Sequence, residues 1–429
     1  MEKDEILSIL KVWNFWHQNV NTGIKRGYYQ QRIASLINEP AIDVVIETGV
    51  RRAGKSFIAK QAAKKLIENG IPKDNVLIIN LEDERLINRD YSTLLEIYRT
   101  YKESINPKGK SFIIMDEAQE VDGWEKFVRG LAEKGEAKFI ITGSSSKLLD
   151  SEYATLLSGR HVVVYVHPLN LLEYKDFTRS RGNVNEYVEM GGFPAIVLSE
   201  NKEDIVKSYF DTIVLKDVIS RFRIQNQDEL VRLAKFYITS IGSKVTFNSA
   251  AKFLKLPVKT VYNFSLYLEK AYLIFFLKRF SFSIKSQDNS PKKAYTIDSS
   301  FSSVLGINPI KARGRLLENS IASTLYLISR HAREFNLYYW YENNKEVDFV
   351  IKDHNNYRLV QVAYEIKEES TRERELSALL ECANRLNVEN LDVVTMNYEG
   401  EELIGGRTIK YSKANDWMSK ILKEYGFGV

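Results

Sequence analysis

One eight-residue motif limits what this chain can fold into. Residues 49–56 read Gly-Val-Arg-Arg-Ala-Gly-Lys-Ser, which is a complete GxxxxGK[ST] phosphate-binding loop. The apolar run Val44-Val45-Ile46 precedes it, and a helix-like segment with apolar residues at 58, 62 and 66 follows. A strand before the motif and a helix after it distinguish a nucleotide-binding loop from a glycine-rich turn that merely precedes a helix. We therefore expect an α/β domain that binds a nucleoside triphosphate.

The residues of this loop have separate roles in phosphate binding. Backbone N–H groups from Gly49 to Gly54 are expected to surround the phosphates, aided by the positive end of the following helix. Lys55 is expected to reach the β- and γ-phosphates, and the Ser56 hydroxyl to help hold Mg²⁺. The predicted nucleotide contacts in this segment are Gly49, Val50, Arg51, Arg52, Ala53, Gly54, Lys55, Ser56 and Phe57.

Three more apolar runs follow, and polar residues come directly after each of them. Parallel sheets bind ligands at the carboxyl ends of their strands, so these polar residues are expected near the phosphates. The intervening strand 76–81 places Lys55 and Asp116 on non-sequential strands, as in the additional-strand class of P-loop ATPases. The runs with their polar ends are Val76–Ile79 with Asn80, Phe112–Met115 with Asp116-Glu117, and Phe139–Ile141 with Thr142-Gly143-Ser144-Ser145.

Asp116 and Glu117 form the expected acidic half of the ATPase site. Asp116 is expected to bind Mg²⁺ directly or through water, and Glu117 to activate water for attack on the γ-phosphate. The alternative is a helix N-cap with a charged first turn. The phosphate loop about sixty residues upstream favours the catalytic interpretation.

Two further positions are predicted to sense or stabilise the γ-phosphate. Ser144 would place a hydroxyl near it, although a serine-rich helix cap would give the same pattern. Arg160 follows Gly159 and precedes the predicted strand 161–166. An arginine there is expected to act on the nucleotide of a neighbouring subunit, since its charge would stabilise the phosphoryl group in trans. The alternative is a surface arginine after a glycine C-cap.

Net charge, cysteine count and the lengths of the apolar runs exclude several classes of protein. The 429 residues carry a net charge of +5, too small to predict nucleic-acid binding without a local basic patch. A single cysteine, Cys382, excludes an intrachain disulfide framework and a cysteine-rich zinc site. The sequence contains no run of about 18 apolar residues, so we expect no transmembrane helix. We expect a cytoplasmic protein of two to four domains.

At this point the sequence resembles a family. The motifs that carry the resemblance are Gly49–Ser56, Met115–Ala118, Ile141–Ser145, Gly159-Arg160, Pro168-Leu169 and Gly191–Pro194. They resemble the archaeal and bacterial AAA+-type ATPases that have a C-terminal DUF4143-like domain. The resemblance implies an AAA+ core at 1–166, a helical lid at 167–228, and effector domains at 229–305 and 306–429. It also implies that residues 26–32, with Tyr28 and Tyr29, lie near the adenine.

Residues 229–305 have the element order of a winged helix. Three helix-like segments are followed by apolar runs at 273–280 and 294–297, and the loop between these runs is rich in basic residues. Helix-turn-helix proteins contact bases from the N-terminal turns of the recognition helix, which would be the third helix here, and basic wing residues would contact phosphates. The predicted nucleic-acid contacts are Lys259, Lys285, Lys292 and Lys293. The alternative is a winged helix used for subunit packing, with a solvated basic loop.

The C-terminal segment is similar to PD-(D/E)xK nucleases such as Holliday junction resolvases. Glu318 on a predicted helix and Asp348 in a strand match two carboxylates of that Mg²⁺ site. Gln361 stands in place of the third acid and Ala363 in place of the lysine, although Glu365-Ile366-Lys367 offers a shifted register. An amide weakens Mg²⁺ binding, and alanine cannot assist water. We therefore expect a restriction-endonuclease-like α/β domain that has lost cleavage.

These expectations combine into one preferred function and two alternatives. The preferred function is Mg²⁺-dependent ATP hydrolysis by a ring-forming, hexamer-like homo-oligomer that binds and remodels DNA, including branched DNA. The first alternative is an ATP-switched regulatory or defence protein that acts through protein partners. The second is an ATP-gated nuclease.

Overall fold

The computed structural model describes residues 1–143, 159–306, 313–365 and 369–428. The chain divides into two compact units, one of residues 1–166 and one of residues 167–428. The predicted residues Ser144, Ser145, Ile366 and Lys367 lie outside the described part of the chain.

A five-stranded parallel sheet forms the centre of the first unit. Its strand order is β2-β3-β4-β1-β5. Every predicted strand is present, because each apolar run is long enough to be buried on both faces of a parallel sheet. The strands are β1 (Val44–Thr48), β2 (Val76–Asn80), β3 (Ser111–Asp116), β4 (Ala137–Thr142) and β5 (His161–Tyr165).

The strand order agrees with the expected placement of Lys55 and Asp116 on non-sequential strands, since Lys55 follows β1 and Asp116 ends β3. The strand between β1 and β3 in the sheet is β4, while β2, which comes between them in the chain, lies at the edge of the sheet. Adjacency in a sheet depends on pairing rather than on chain order. The residues that end β1, β4 and β3 therefore lie side by side.

In the described part of the first unit, residues 1–143 and 159–166, five α-helices pack on this sheet. They bury apolar stripes of helical spacing, as α5 does with Trp124, Phe127, Val128 and Leu131. The Asn14 side chain bonds both N–H and C=O of Ile78, which covers the open edge of β2. The helices are α1 (Lys3–Trp13), α2 (Gly27–Asn38), α3 (Lys55–Glu68), α4 (Tyr91–Ser104) and α5 (Trp124–Glu133).

The second unit begins with helices. The Asp298 carboxylate accepts from Gly192 N–H at 2.7 Å, and the Ser323 hydroxyl lies 2.9 Å from His167 Nε2. The residues predicted as a lid thus pack within this unit. The helices are α6 (Leu171–Phe177), α7 (Val184–Met190), α8 (Pro194–Val197) and α9 (Lys202–Thr212), and a π-helical turn (Ile213–Ser220) continues α9.

A three-stranded antiparallel ladder, β6-β8-β7, follows with its own helices. The predicted wing loop contains a short helix, α13. The elements are α10 (Gln227–Thr239), β6 (Lys244–Val245), α11 (Phe247–Leu254), α12 (Val258–Lys270), β7 (Ile274–Arg279), α13 (Ile284–Asn289), β8 (Lys292–Thr296) and α14 (Ser299–Leu305).

The C-terminal strands extend this ladder into a nine-stranded sheet of order β13-β14-β12-β11-β10-β9-β7-β8-β6. β7 and β9 pair in parallel at two positions only, Lys278 with Tyr338 and Arg279 with Tyr339. The elements are α15 (Arg313–His331), β9 (Phe335–Glu342), β10 (Lys345–Asp353), β11 (Asn356–Ala363), α16 (Glu369–Leu386), β12 (Asn390–Thr395), β13 (Gly400–Ile404), β14 (Arg407–Lys413) and α17 (Ala414–Glu424).

Among the helices described, none combines the length and apolar character needed to cross a bilayer.

Candidate functional site

The phosphate loop joins the end of β1 to the start of α3. Gly49 has φ +145°, and a Cβ there would lie 2.0 Å from the carbonyl oxygen of Val166. Gly54 has φ +96° immediately before α3. Both conformations favour glycine, so the two fixed glycines of the motif have structural causes at the two ends of the loop.

Lys55 lies folded back into the loop. Its ammonium donates to the carbonyl oxygens of Gly49 and Val50, each at 3.0 Å, and its side chain is buried. Phosphate oxygens are stronger acceptors for an ammonium than neutral carbonyls are. The loop therefore holds the buried Lys55 ammonium beside the position that a bound triphosphate would occupy.

Ser56 and Asp116 meet beside the loop. The Ser56 hydroxyl donates to Asp116 Oδ1 at 2.8 Å, and the Thr142 hydroxyl donates to the same oxygen at 2.5 Å. Burial raises the pKa of Asp116, although the bonds from Thr142 and Ser56 oppose that change. A hydroxyl beside a carboxylate suits Mg²⁺, which takes oxygen ligands and keeps places for phosphate oxygens and water. Ser56 and Asp116 thus fit the metal role expected of them.

Glu117 is held by its backbone as well as its side chain. It has φ +55° and ψ +51°, a left-handed conformation that is strained for a glutamate. Its N–H donates to the Thr142 hydroxyl at 3.1 Å, and Gln119 Nε2 donates to its carboxylate at 2.5 Å. Thr142 therefore contacts both Asp116 and Glu117. From the sequence, no role was predicted for it beyond the start of the segment that contains Ser144.

Glu47 is a site residue that the sequence interpretation missed. It is fully buried in β1, and neither side-chain oxygen has a hydrogen-bond partner among the described residues. Burial and the nearby Asp116 carboxylate raise the pKa of Glu47 well above its ordinary value, against the opposing charges of Lys55 and Arg26. The sequence signal that could have identified Glu47 is a single acidic residue directly after the apolar run Val44-Val45-Ile46.

The residues expected near the adenine divide into two groups. Arg26 is buried and donates to the carbonyl oxygen of Ala53 at 2.8 Å, so it supports the loop from within the fold. Its guanidinium lies 4.6 Å from the ring centre of Tyr29, which is fully buried. Tyr28 and Phe57 keep exposed surface and are the aromatic residues of this region that a base could reach.

Arg160 lies at the amino ends of the strands, whereas Lys55 lies beyond their carboxyl ends. β1 and β5 are parallel, the loop follows the end of β1, and Arg160 precedes the start of β5. Its side chain is 67% exposed and lies 3.4 Å from the Asp43 carboxylate. It therefore cannot reach the nucleotide of its own chain.

The four lysines predicted to contact nucleic acid have different environments. Lys259 and Lys285 are exposed. Lys292 lies over the rings of Phe247 and Phe276, at 5.2 and 5.9 Å. Lys293 is 1% exposed and is bound by carboxylates, so it cannot contact nucleic acid and that prediction is wrong.

The three positions compared with a nuclease site do come together. Gln361 Oε1 accepts from Asp348 N–H at 3.2 Å, and Asp348 Oδ2 accepts from Val362 N–H at 3.0 Å. Glu318 and Asp348 both accept from Lys293, which lies between them. An ammonium between the acids does not fit a Mg²⁺ site. No group of three or more His, Cys, Asp or Glu side chains in the described ranges is placed to hold a metal ion.

Three family models match successive parts of the chain. Residues 42–175 match the AAA domain family AAA_14, residues 181–311 match the domain of unknown function DUF8612, and residues 313–413 match the domain of unknown function DUF4143. The chain therefore has an AAA domain that contains the loop and the Asp116-Glu117 pair.

The solved structures that match do so weakly. The ORC1 protein of Aeropyrum pernix in complex with DNA is 13% identical, with a TM-score of 0.31 over 73% of this chain and 98% of its own. AMPPCP-bound DnaA from Aquifex aeolicus is 11% identical, with a TM-score of 0.29 over 61% and 92%. Likenesses at this level support no statement about function.

Two curated relatives match most of the chain. An uncharacterized protein of Haemophilus influenzae is 28% identical over 414 residues, 92% of this chain and 98% of its own length. The uncharacterized protein MJ1544 of Methanocaldococcus jannaschii is 36% identical over 384 residues, 83% of this chain and 82% of its own length. The chain thus belongs to the family of MJ1544, and carries an AAA domain followed by the DUF8612 and DUF4143 domains.

Proposed function

We propose that the first unit binds ATP with Mg²⁺ and hydrolyses it. The observation that carries the proposal is the contact between Ser56 and Asp116, at 2.8 Å beside the phosphate loop. It supports a metal site formed by this hydroxyl and this carboxylate. A bound Mg²⁺ would neutralise charge on the transferring phosphate and orient it.

The side chains around this pair have complementary roles in the proposal. Lys55, whose ammonium lies beside the Gly49 and Val50 carbonyl oxygens, binds phosphate oxygens, and the loop amides bind the rest of the triphosphate. Glu117 accepts the proton of the attacking water. Thr142 orients both acids, since its hydroxyl bonds one carboxylate and one backbone N–H.

The test is a steady-state ATPase assay with and without Mg²⁺ on the wild type and on Asp116→Asn. We expect Asp116→Asn to lose at least about 100-fold of the Mg²⁺-dependent rate. Asp122→Asn is the matched control, because Asp122 is an exposed acid just beyond the site. A wild type without Mg²⁺-dependent turnover, or an Asp116→Asn variant with the wild-type rate, would exclude this function.

We further propose that Arg160 completes the site of a neighbouring subunit in a ring. Its exposed side chain at the amino end of β5, away from the phosphate loop, supports an action in trans, and its charge would stabilise the phosphoryl group there.

A second proposed function is nucleic-acid binding by the winged-helix region, including DNA remodelling driven by the ATPase. It is supported by a stretch without acidic residues, 230–268, in a chain that has 56 acids in all. Lys252, Lys255 and Lys259 are exposed around the turn between α11 and α12. Such a surface suits a phosphate backbone.

This function is tested by duplex and branched DNA binding at several salt concentrations. Changing Lys252, Lys255 and Lys259 together to Gln should weaken binding about 10-fold or more and flatten its salt dependence. The control changes three exposed lysines of the first unit to Gln, namely Lys64, Lys108 and Lys134. Equal binding by both variants, with ATP turnover unaffected by DNA, would favour an ATP-switched regulator instead.

A further inference from the structure

Two lysines occupy directly opposed positions in the β6-β8 ladder. Lys244 pairs in register with Lys293, and Lys293 is 1% exposed. Like charges opposed across a strand pair destabilise a sheet, and a buried ammonium is costly unless it is paired. These two lysines therefore require acidic partners, and other elements supply them.

Three carboxylates from α15 and β10 surround the Lys293 ammonium. The distances from Nζ are 2.8 Å to Glu318, 2.8 Å to Glu346 and 2.9 Å to Asp348. An ammonium has three hydrogens to donate, and three carboxylates are placed to accept them. We call these four residues the Lys293 cluster.

The neighbours of the cluster add hydrogen bonds and reduce its charge imbalance. Lys244 pairs with the other oxygen of Glu346 at 2.8 Å, and the Tyr295 hydroxyl donates to Glu318 at 2.7 Å. The second oxygen of Asp348 accepts from a backbone N–H. Two cations thus face three acids.

The spacing of the cluster suits an ammonium and not Mg²⁺. Magnesium holds its oxygen ligands at about 2.0–2.1 Å, whereas these oxygens lie 2.8–2.9 Å from the central atom. The side-chain oxygen of Gln361 accepts a hydrogen bond from the backbone N–H of Asp348, so Gln361 does not offer that oxygen to a metal ion at the position of the Lys293 ammonium. Ala363 adds no polar atom.

We propose that the Lys293 ammonium takes the place of a metal ion among Glu318, Glu346 and Asp348, so that this acidic site is filled by the chain itself and binds no divalent cation. The ammonium comes from the segment that matches DUF8612, and the carboxylates come from the segment that matches DUF4143. The cluster therefore joins these two segments and leaves no metal for phosphodiester cleavage.

The proposal is tested on full-length, nucleotide-free protein by Mn²⁺ binding and by thermal unfolding. Lys293→Met should lower the unfolding midpoint of the second unit by about 10 °C, because it leaves buried acids unpaired. Millimolar Mn²⁺ should recover a large part of that loss. It should recover none in Lys293→Met combined with Asp348→Asn. Lys235→Met, which changes an exposed lysine of α10 in the same unit, should behave as the wild type in both measurements.

Mn²⁺ binding to the wild type decides the matter even if Lys293→Met does not fold. Asp348→Asn should leave wild-type Mn²⁺ binding unchanged, since the proposal assigns no metal to Asp348. Loss of a Mn²⁺ site in Asp348→Asn would overturn the proposal. Mn²⁺-dependent DNA cleavage that requires Asp348 would do the same, as would a Lys293→Met protein as stable as the wild type.

Discussion

The Ser56 hydroxyl donates to the Asp116 carboxylate at 2.8 Å, although 60 residues separate them in the chain. Ser56 lies in α3, which follows β1, and Asp116 lies at the end of β3. In the sheet, β4 separates β1 from β3. The same carboxylate oxygen accepts from Thr142, at the end of β4. Three elements thus converge on one oxygen atom.

Thr142→Val should slow ATP hydrolysis by about 10- to 100-fold with little loss of ATP affinity. Valine keeps the shape but removes the hydroxyl that bonds Asp116 and Glu117. Rates at saturating ATP and binding of a non-hydrolysable analogue separate the two effects. Thr100→Val, a buried threonine in α4, is the control. A Thr142→Val protein with the wild-type rate would remove Thr142 from the site.

Gly49→Ala should destabilise the first unit by about 3 kcal/mol or more and abolish nucleotide binding. The added Cβ would meet the Val166 carbonyl oxygen at 2.0 Å, at a φ of +145°. Gly70→Ala is the matched control, because Gly70 also has positive φ but nothing lies within 4 Å of its added Cβ. Its cost should be about 1 kcal/mol. Similar losses for both variants in denaturant unfolding would contradict the role of the close contact.

Mixing Arg160→Ala with Lys55→Ala should restore ATPase activity that neither variant has alone. In a mixed oligomer, an intact Lys55 site on one chain can meet the Arg160 of the other. The restored fraction should depend on the mixing ratio and on total protein concentration. Arg129→Ala, an arginine of α5 that pairs with Glu133, is the control and should retain activity. Full activity of Arg160→Ala by itself would show that this arginine has no role in ATP hydrolysis.

Glu269→Gln should stabilise the second unit at neutral pH and not at acid pH. Burial raises the pKa of Glu269 from 4.5 to about 6, although Lys292 and the N–H of Phe276 lower it. The folded state therefore binds this proton more tightly than the unfolded state. Its contribution to stability is full below the unfolded pKa and is lost as pH rises through about 6. The variant should gain about 1–2 kcal/mol above pH 7, and urea unfolding across pH measures this. A gain that does not change with pH would contradict the assignment.

The residues of the nucleotide site could be predicted from sequence because their signals are local. A fixed glycine spacing identified the loop, and apolar runs ending in acids identified β3 and its carboxylates. Glu47 escaped prediction although it lies in β1, since one acid in an apolar strand has no consensus around it. Its effect depends on Asp116 and Lys55, which reach it only after folding.

The second unit was predicted less completely. Glu318, Asp348 and Gln361 were grouped through the resemblance to PD-(D/E)xK nucleases, and the structure places the three residues close together. Lys293 was assigned to a wing surface, since its neighbours in sequence are basic and the loop before it is polar. Its true environment comes from β10 and α15, 25 to 55 residues further along the chain.

Local sequence patterns were sufficient to assign the phosphate loop, its acidic partners, the parallel strands and the helix that follows the loop. Each of these depends on residues within a few positions of one another, through backbone conformation and alternating burial. Tertiary structure alone decided that β4 separates β1 from β3, that Arg160 faces away from its own loop, and that Lys293 is enclosed by three carboxylates. Those outcomes depend on strand pairing and on the cost of burying charge, and both are set by residues that are distant in the chain.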